Sequence, residues 1–401
     1  MKITVIVPTY WTSNSPTVQR KMPDAVYDHP TPLESQSTLP RLLDSLKDTD
    51  MPNQSTTIFI LVATTHRTLE KKAEDATREI MIDYEDDFSI KQFSQLTLKK
   101  MSSTDGNLAQ LLSLYGYSNI RNTGLAIAQI LKSDIVTFLD DDTLVNDRKY
   151  FSKAQQHVGK ELKGELLGGV AGYYVTENDS YYLRVDPEAW WKLFWPKEKR
   201  MNEAFKIIES EDRLTETTFA FGGNLILHWK MFEKVPFDPY ITRGEDMDLL
   251  LNAKMFGFKF MLDTELRVLH LPSEGKRLWS EMRQDLYRFL YMRQKMLSQE
   301  HIEGVRHVST DLLRPYPGCF LGLGAIFRFS SSSCLNSLHS FLDGDRQGSR
   351  ESLRNIREIS SALRLARKHC LSYFGFQKKW AAHVPKIRGD MHLLNVLQTS
   401  S

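Results

Sequence analysis

The first 145 residues alternate short, continuous apolar runs with longer segments of helical periodicity. A continuous apolar run of about five residues is typical of a strand that is covered on both faces. The predicted strands comprise residues 3–7, 58–62 and 134–139, with a weaker candidate at 93–98. The predicted helices comprise residues 38–48, 68–82 and 121–133. This alternation predicts an α/β fold with a mostly parallel sheet, in which ligands bind outside the carboxyl ends of the strands.

Local signals indicate where these elements begin and end. Pro8 closes the first apolar run, and Asn122 and Thr123 are candidate N-caps of the helix at 121–133. Residues 11–33 are rich in Ser, Thr, Pro and Asn and lack periodicity, so they predict a long loop. A long loop beside a strand end is often a lid.

The pattern is less regular after residue 145. The strands predicted in this part comprise residues 168–175, 218–228 with an interruption by two glycines, and 259–270. A helix is predicted at 245–258, with its apolar face toward the core and Gly257 near its end. Beyond residue 272 the chain is predicted to form a helical tail with a Ser-rich turn at 330–333.

Composition is that of an ordinary globular protein, because 41% of the 401 residues are hydrophobic and 25% are charged. Charge is divided unevenly along the chain. Residues 276–401 hold 20 Lys and Arg against 10 Asp and Glu, which leaves 32 against 40 in the first 275 residues. A basic tail predicts either peripheral contact with an anionic membrane surface or a solvated helical face, and no nucleic-acid partner is expected.

The cysteines and the lengths of the apolar stretches indicate the cellular compartment of the protein. Cys319, Cys334 and Cys370 are odd in number and lie outside any CxxC or Cys/His spacing, so reduced thiols are expected rather than disulfides or zinc. The first apolar stretch is far too short for a signal sequence. The longest apolar candidate, residues 319–327, is half the length of about 18 residues that a membrane span requires. We expect a cytoplasmic protein, with membrane association left open.

Three adjacent carboxylates, Asp140, Asp141 and Asp142, follow the predicted strand at 134–139. Like charges this close repel one another unless a positive group compensates them. Oxygen ligands of this kind suit Mg²⁺ or Mn²⁺, and Mg²⁺ is generally held by one or two carboxylates together with substrate phosphates. Asp140 and Asp142 point the same way if the strand conformation persists, so they predict a metal and a phosphate-bearing substrate, with a solvated acidic turn as the alternative.

Five motifs together resemble the nucleotide-sugar glycosyltransferases of the GT-A fold, in particular the inverting enzymes of family 2. In order they are VIVPTYW at the first strand, RNTGLAIAQ before the fourth, FLDDD as the DxD motif, FGGN at 221–224 and GEDMDL at 244–249. No single motif is specific, but their order and spacing match the family over residues 1–272. The resemblance implies a nucleotide-sugar-binding half at 1–146, an acceptor-binding half at 147–272 and a helical C-terminal extension at 273–401.

The resemblance also implies an activity and a set of residues. The activity is metal-dependent transfer of a sugar from a UDP- or GDP-sugar to an acceptor hydroxyl, with inversion at the anomeric carbon. Asp142 and His270 would hold Mn²⁺ or Mg²⁺, and Asp246 would be the general base. Glu245 would orient the acceptor or the sugar, whereas Asp248 faces elsewhere. The donor-binding residues would be Pro8, Thr9, Tyr10, Arg121, Asn122, Asp140, Asp141, Gly222 and Gly223.

Several of these residues have a simpler interpretation as well. Gly222 and Gly223 would let the donor sugar or the acceptor approach the backbone, but a plain β-bulge uses glycine in the same way. A lone histidine at a strand end, such as His270, is more often structural. Glu245 and Asp246 are also favourable charges at the positive end of a helix dipole. Within the donor set, the resemblance assigns Asp140 to the ribose or base and leaves Asp141 a supporting place.

The chain departs from the family pattern in three places. Family members commonly carry an aspartate after the second strand that reads uracil, but residues 61–66 contain no acid, so the nucleobase stays open between UDP and GDP. The loop at 11–33 is longer than usual. Trp190, Trp191 and Trp195 lie in a segment peculiar to this chain, where aromatic faces suit either stacking on a sugar or packing beneath the tail helices.

Other functions stay open at this point. A retaining GT-A enzyme of the glycosylglycerate-synthase type also uses a DxD motif and a late histidine, but it needs no base at the Glu-Asp pair. DDDTL nearly matches the DxDx[TV] box of haloacid-dehalogenase-type phosphatases, with Leu144 where Thr or Val is required. A non-catalytic module that binds sugar nucleotides or glycans is the third alternative. The acceptor of a transferase would be a glycan, a lipid-linked intermediate or a small molecule.

Overall fold

A computed structural model describes residues 1–14, 27–271, 277–322 and 324–399. Its strands are β1 (Ile3–Thr12), β2 (Thr31–Pro32), β3 (Thr56–Thr64), β4 (Ile90–Phe93), β5 (Ile135–Leu139), β6 (Thr143–Leu144), β7 (Glu161–Leu162), β8 (Glu165–Val175), β9 (Leu214–Glu216), β10 (Asn224–His228) and β11 (Lys259–His270). Its α-helices are α1 (Leu39–Lys47), α2 (Glu70–Ile82), α3 (Gln95–Thr104), α4 (Leu108–Leu111), α5 (Tyr117–Ile130), α6 (Tyr150–His157), α7 (Lys197–Phe205), α8 (Trp229–Phe232), α9 (Glu245–Met255), α10 (Leu278–Ser298), α11 (Ala325–Leu342), α12 (Arg346–His369), α13 (Ser372–His383) and α14 (Met391–Thr399).

The central sheet has the strand order β4-β3-β1-β5-β10-β8-β11-β6 along its main path. The first four strands are parallel, β10 is antiparallel to both its neighbours, and β8 pairs with β11 in parallel. Successive side chains of a strand face opposite sides of the sheet, so Ile6 belongs to the same apolar cluster as Leu125 of α5, whereas Val5 and Val7 belong to a second cluster with Leu42 of α1. The predicted α/β class, a mostly parallel sheet flanked by helices with a helical C-terminal extension, is confirmed.

Strand β1 reaches further than its apolar run. All ten of its residues are buried, and it continues past Pro8 to Thr12. The prediction that Pro8 ends the strand is wrong. The ladder with β5 ends at Ile6, so the missing N–H of Pro8 removes no hydrogen bond from that ladder. The strand therefore carries Tyr10 to the edge of the sheet where β5 ends.

Two predicted strands are shorter than their apolar stretches. The candidate at 93–98 is wrong, because β4 ends at Phe93 and α3 begins at Gln95. Ser94 separates the two, and its side chain accepts a hydrogen bond from the backbone N–H of Leu96, as an N-cap does. The candidate at 218–228 is a strand only from Asn224 onward, because the preceding glycines lie in a turn.

The helix at 121–133 begins earlier than its candidate caps. Helix α5 starts at Tyr117 after Gly116, whose φ of 83° is a conformation that favours glycine. Asn122 is fully buried inside the helix, and its side chain exchanges hydrogen bonds of 2.9 Å and 2.8 Å with the backbone of Phe237. Thr123 donates to the carbonyl oxygen of Asn119 within the same helix. The prediction of Asn122 and Thr123 as caps is therefore wrong.

The Ser-rich stretch at 330–333 is helical and not a turn, because it lies inside α11. Ser332 is buried there and its hydroxyl donates to the carbonyl oxygen of Trp191 at 3.1 Å. Of the loop predicted at 11–33, residues 15–26 lie outside the described residues. The described part includes β2, which adds two residues in parallel to the end of β1.

The helical tail is bonded to the sheet domain by buried polar contacts. Lys295 of α10 is fully buried, with Nζ 2.9 Å from Asp238 Oδ2 and in a second ion pair with Asp248 of α9. Trp380 of α13 donates from Nε1 to the carbonyl oxygen of Phe232 at 2.8 Å. Among the described residues, no helix combines the length and apolarity that crossing a membrane requires.

Candidate active site

A cavity of about 470 Å³ opens at the carboxyl ends of β1 and β5, where the α/β rule places ligands. Strands β8 and β11, the start of α9 and the tail helix α10 complete its walls. Nine of the residues singled out from the sequence line it: Tyr10, Arg121, Asp140, Asp141, Asp142, Gly222, Glu245, Asp246 and His270.

Arg121 joins three segments of the cavity wall. From α5 it donates to Glu245 Oε1 at 3.1 Å, to the carbonyl oxygen of Gly222 at 2.7 Å and to Asp140 Oδ1 at 3.0 Å. Its side chain is almost fully buried. Burial lowers the pKa of Arg121, but the charges of Asp140 and Glu245 outweigh it and hold that pKa above its usual value. Arg121 thus stays charged and sets the distance between the DxD motif and α9.

Tyr174 of β8 is a site residue that the sequence did not reveal. Its hydroxyl accepts from the backbone N–H of Gly223 at 2.8 Å and donates to Asp140 Oδ2 at 3.1 Å. Its ring stacks on the imidazole of His270, with centroids 4.8 Å apart. In the sequence it is one of two adjacent tyrosines in an apolar strand, and only the side of the sheet that it faces distinguishes it from Tyr173.

Gly222 and Gly223 lie so close to Arg121, Asp140 and Tyr174 that a side chain at either glycine would collide with them. A Cβ atom added to Gly222 would overlap the guanidinium of Arg121, and one added to Gly223 would overlap both the carboxylate of Asp140 and the hydroxyl of Tyr174. The two glycines are therefore required by the hydrogen-bond network of the wall, which is a tighter constraint than a plain bulge.

Gly223→Ala is expected to reduce both stability and donor binding. The new methyl group forces Asp140 or Tyr174 out of position, which costs about 1–3 kcal/mol in a packed site. Chemical denaturation and calorimetric titration with a sugar nucleotide would measure the two effects. Gly106→Ala is the matched control, since an added Cβ there has no atom within 4 Å. If the two variants behave alike, the wall does not need this glycine.

Asp142 and His270 come together because β6 pairs with the end of β11. Thr143 is in register with His270, and the backbone N–H of Leu271 donates to the carbonyl oxygen of Asp142 at 2.9 Å. The carboxylate Oδ2 of Asp142 lies 3.5 Å from Nε2 of His270. Burial lowers the pKa of His270, but the hydrogen bond and charge of Asp142 raise it more. Asp141 is buried beside them, and burial together with both neighbouring carboxylates raises its pKa well above the usual value.

The fit of these residues to a divalent cation follows from their chemistry. No group of three or more His, Cys, Asp or Glu side chains that could hold a metal occurs within the described residues. Asp142 and His270 offer one carboxylate and one imidazole, and Mg²⁺ and Mn²⁺ are commonly completed by substrate phosphates and water. Seven carboxyl groups but only four Lys and Arg side chains line the cavity. A diphosphate that binds beside more carboxyl groups than basic groups needs an added cation to balance its charge. The residues of the cavity therefore fit a divalent cation.

Asp246 lies in the first turn of α9, which Gly244 opens with a positive φ of 75°. One oxygen of its carboxylate accepts from the backbone N–H of Gly222 at 3.1 Å, and the other accepts from the N–H of Met247. Burial, followed by the charge of Glu245, raises the pKa of Asp246 to about 7. A carboxylate with this pKa is suited to accept a proton near neutral pH. Asp248, two residues on, is fully buried and faces Lys295 instead.

The tail contributes to the cavity, which the sequence did not predict. Arg288 of α10 lines it, and its Nη2 donates to the hydroxyl of Tyr316 at 2.7 Å and pairs with Asp285. Its Nε has no hydrogen-bond partner among the residues that the structure describes. Lys197 from α7 and Glu281 from α10 also line the cavity. No motif marks these residues, because they come from segments without a pattern beyond helical periodicity.

Four of the predicted residues do not line the cavity. Thr9 is buried and its hydroxyl donates to the carbonyl oxygen of Leu61 at 3.2 Å. The neighbouring Tyr10 does line it, and its ring forms a cluster with those of Tyr27 and Tyr117. The four predicted residues that do not line the cavity are Pro8, Thr9, Asn122 and Gly223.

Comparison with known proteins gives structural similarity alone. No protein-family model matches the sequence, and no curated protein matches it either. The mannosyltransferase PcManGT from Pyrobaculum calidifontis, solved in complex with GDP-Man and Mn²⁺, is 13% identical, with 97% of this chain and 86% of that chain covered and a TM-score of 0.46. TarS 1-349 of S. aureus in complex with UDP is 16% identical, with 91% of each chain covered and a TM-score of 0.37. The solved structures similar to this chain thus include a mannosyltransferase and a protein that binds UDP.

Proposed function

We propose that the protein is a metal-dependent glycosyltransferase of the GT-A type, which transfers a sugar from a UDP- or GDP-sugar to an acceptor hydroxyl with inversion. The observation that carries this proposal is the presence in one cavity of the Asp142–His270 pair and of Asp246. The pair suits a cation that a diphosphate completes, and Asp246 suits a general base. The five sequence motifs that resemble family 2 support the same function.

The chemistry assigned to Asp246 is proton acceptance during an in-line displacement. The acceptor oxygen forms its bond to the anomeric carbon while its proton passes to the Asp246 carboxylate. The bond from the anomeric carbon to the diphosphate oxygen breaks, and the electron pair leaves with the diphosphate. Asp142 and His270 would hold a divalent cation, whose positive charge would stabilise the charge that develops on the diphosphate. A retaining enzyme needs no base at this position, so a carboxylate that lines the cavity at Asp246 supports inversion.

The carboxylates beside Asp246 have positioning roles. Arg121 holds Glu245, whose side chain then lies fixed beside the base and orients the acceptor or the sugar. Asp140 accepts hydrogen bonds at both oxygens, from Arg121 and from Tyr174. A carboxylate engaged in this way is a poor nucleophile but a well-fixed contact for a ribose or base. This arrangement favours the transferase over the phosphatase, in which Asp140 would attack phosphorus.

A donor screen tests the proposal. UDP- and GDP-sugars are incubated with the protein and Mn²⁺, and release of the nucleotide is measured with and without EDTA. We expect one donor to be hydrolysed slowly and to require the metal. Phosphate release from aryl phosphates without any sugar nucleotide would instead identify a phosphatase. Donor binding without turnover, with every acceptor class tried, would identify a non-catalytic module.

Asp142→Ala and His270→Ala are each expected to raise the Mn²⁺ concentration for half-maximal activity by at least about tenfold, since even supporting residues of metal sites contribute that much. Direct Mn²⁺ binding, followed by electron paramagnetic resonance in the presence of UDP or GDP, gives a readout that needs no turnover. His307→Ala, an exposed histidine outside the cavity, is the control. An unchanged Mn²⁺ requirement in both site variants would contradict the assignment.

A further inference from the structure

Helix α11 presents an apolar face to solvent. Phe327 is 69% exposed, Leu338 50%, Phe341 66% and Leu342 67%. Their spacing of 11, 14 and 15 residues from Phe327 places them along one side of the helix, with exposed Cys334 between them. Large apolar side chains scattered singly are ordinary on a protein surface, but a continuous face of them indicates a binding surface.

The tryptophan-rich segment at 190–194 extends this face. Trp191 stacks on His339 of α11, with ring centroids 3.4 Å apart, and Phe194 contacts Phe327. Trp190 is 43% exposed and Leu193 is 68% exposed. The hydrogen bond from Ser332 to the carbonyl oxygen of Trp191 fixes the segment against α11. These side chains pack beside the helix without covering its apolar face.

Helix α12, which packs on α11, adds positive charge. The two helices are joined by hydrogen bonds from Asn336 to Ser352 and between Ser337 and Ser349. The exposed basic residues of α12 are Arg346, Arg350, Arg354, Arg357, Arg364, Arg367 and Lys368. Its two acidic residues, Glu351 and Glu358, contact Arg283 and Tyr287 of α10 and also pair with Arg354, which leaves the other six basic side chains to give α12 its charge. The solvent side of α12 is therefore basic, and exposed Leu353 lies among the arginines.

We propose that α11, α12 and the segment at 190–194 form a surface that docks on a lipid bilayer containing anionic phospholipids. Exposed Trp, Phe and Leu beside a row of Arg and Lys match the two parts of such a bilayer, the acyl boundary and the anionic headgroups. The proposed contact is peripheral, with the apolar side chains at the acyl boundary and the basic ones at the headgroups. The surface does not include the residues assigned to catalysis, so this inference stands apart from the proposed function.

Vesicle sedimentation of the full chain tests the surface. The protein is mixed with vesicles of phosphatidylcholine alone or of phosphatidylcholine with phosphatidylglycerol, at low and high salt. We expect binding to the mixed vesicles that weakens as salt screens the charges. Phe341→Ser with Leu342→Ser, and Arg350→Gln with Arg357→Gln, should each lower vesicle affinity by at least about tenfold. Lys71→Gln with Lys72→Gln, on the exposed side of α2, is the charge-matched control and should bind like the wild type.

Two results would overturn the proposal. One is a failure of the wild-type protein to bind mixed vesicles, or equal binding by the wild type and by both doubly substituted variants. In the second case the variants must also melt at the wild-type temperature, which shows that they are folded. The other is a dimer in solution that becomes a monomer in the variant Phe341→Ser with Leu342→Ser, while neither form binds vesicles. This result would mean that the apolar face is a contact between two copies of this chain. Because sedimentation needs no turnover, its outcome is independent of the donor screen.

Discussion

Asp246→Asn is expected to lower the rate of sugar transfer by about 10²–10⁴-fold, the usual contribution of a general base. Asn keeps the size of Asp but has one acceptor oxygen where Asp246 has two, so it can keep the hydrogen bond from the N–H of Gly222 while the bond from the N–H of Met247 is lost. The melting temperature of the variant is therefore compared with that of the wild type. The affinity for the donor, measured by calorimetric titration with UDP or GDP and Mn²⁺, should change little. The loss should therefore appear in kcat, as expected for a group that acts on the proton in the transition state.

The wild-type pH profile gives a second, independent measure of the same group. Asp246 acts only when deprotonated, and burial with the neighbouring Glu245 raises its pKa to about 7. Activity should thus rise with pH through about 7, whereas an ordinary aspartate would give a limb near pH 4. The limb should vanish from the residual activity of Asp246→Asn.

Asp179→Asn is the control for this substitution, because Asp179 is 68% exposed and its ion pair with Arg267 lies on the surface. It should transfer sugar at the wild-type rate. If Asp246→Asn retains more than about a tenth of that rate, the base lies elsewhere and the inverting assignment loses its support.

Lys295→Met is expected to lower the free energy of unfolding by about 3–5 kcal/mol, the cost of removing one partner from a buried ion pair. Lys295 is fully buried between Asp238 and Asp248, and the hydroxyl of Tyr291 also donates to Asp238. Met fills much the same volume but leaves two carboxyl groups in the core without their cation. Urea denaturation at several pH values would measure the loss.

The pH dependence of this variant has a definite sign. The pKa of Asp248 is already raised to about 6 by burial, although Lys295 lowers it. Removing the lysine raises that pKa further, and a group whose pKa is higher in the folded than in the unfolded state loses stabilisation as pH rises. The deficit of Lys295→Met should therefore be largest above neutral pH and smaller in mild acid.

Lys153→Met provides the comparison, because Lys153 forms a partly exposed pair with Asp147 at 2.8 Å. Such a pair contributes about 0–1 kcal/mol, so its loss should be small. Neutralising all three groups, with Asp238→Asn and Asp248→Asn added to Lys295→Met, should recover part of the stability. If Lys295→Met costs no more than Lys153→Met, the buried triad is not what bonds the tail to α9.

Much of the fold could be predicted because its signals are local. Continuous apolar runs correctly predicted β3 and β5, and the helices predicted at 38–48 and 68–82 are α1 and α2 within a few residues. The errors at Pro8 and at Asn122 have one cause. Pro8 has a local preference for a strand end, but the ladder between β1 and β5 stops before it, so the strand can continue through Pro8. Asn122 has a local preference for a helix cap, but its side chain instead exchanges buried hydrogen bonds with the backbone of Phe237.

The sequence by itself determined which chemistry is present: three carboxylates after a buried strand, a Glu-Asp pair opening a helix, and a histidine at a strand end. The rule that ligands bind at the carboxyl ends of parallel strands placed the aspartates at a site, and the resemblance to family 2 implied that the Glu-Asp pair and the histidine join them. Only the tertiary structure decided how they are held. Arg121, Tyr174 and Lys295 bond to partners between 19 and 124 residues away in the chain, and the raised pKa of Asp246 follows from burial beside Glu245. Such contacts depend on how whole elements pack, which no local pattern of residues encodes.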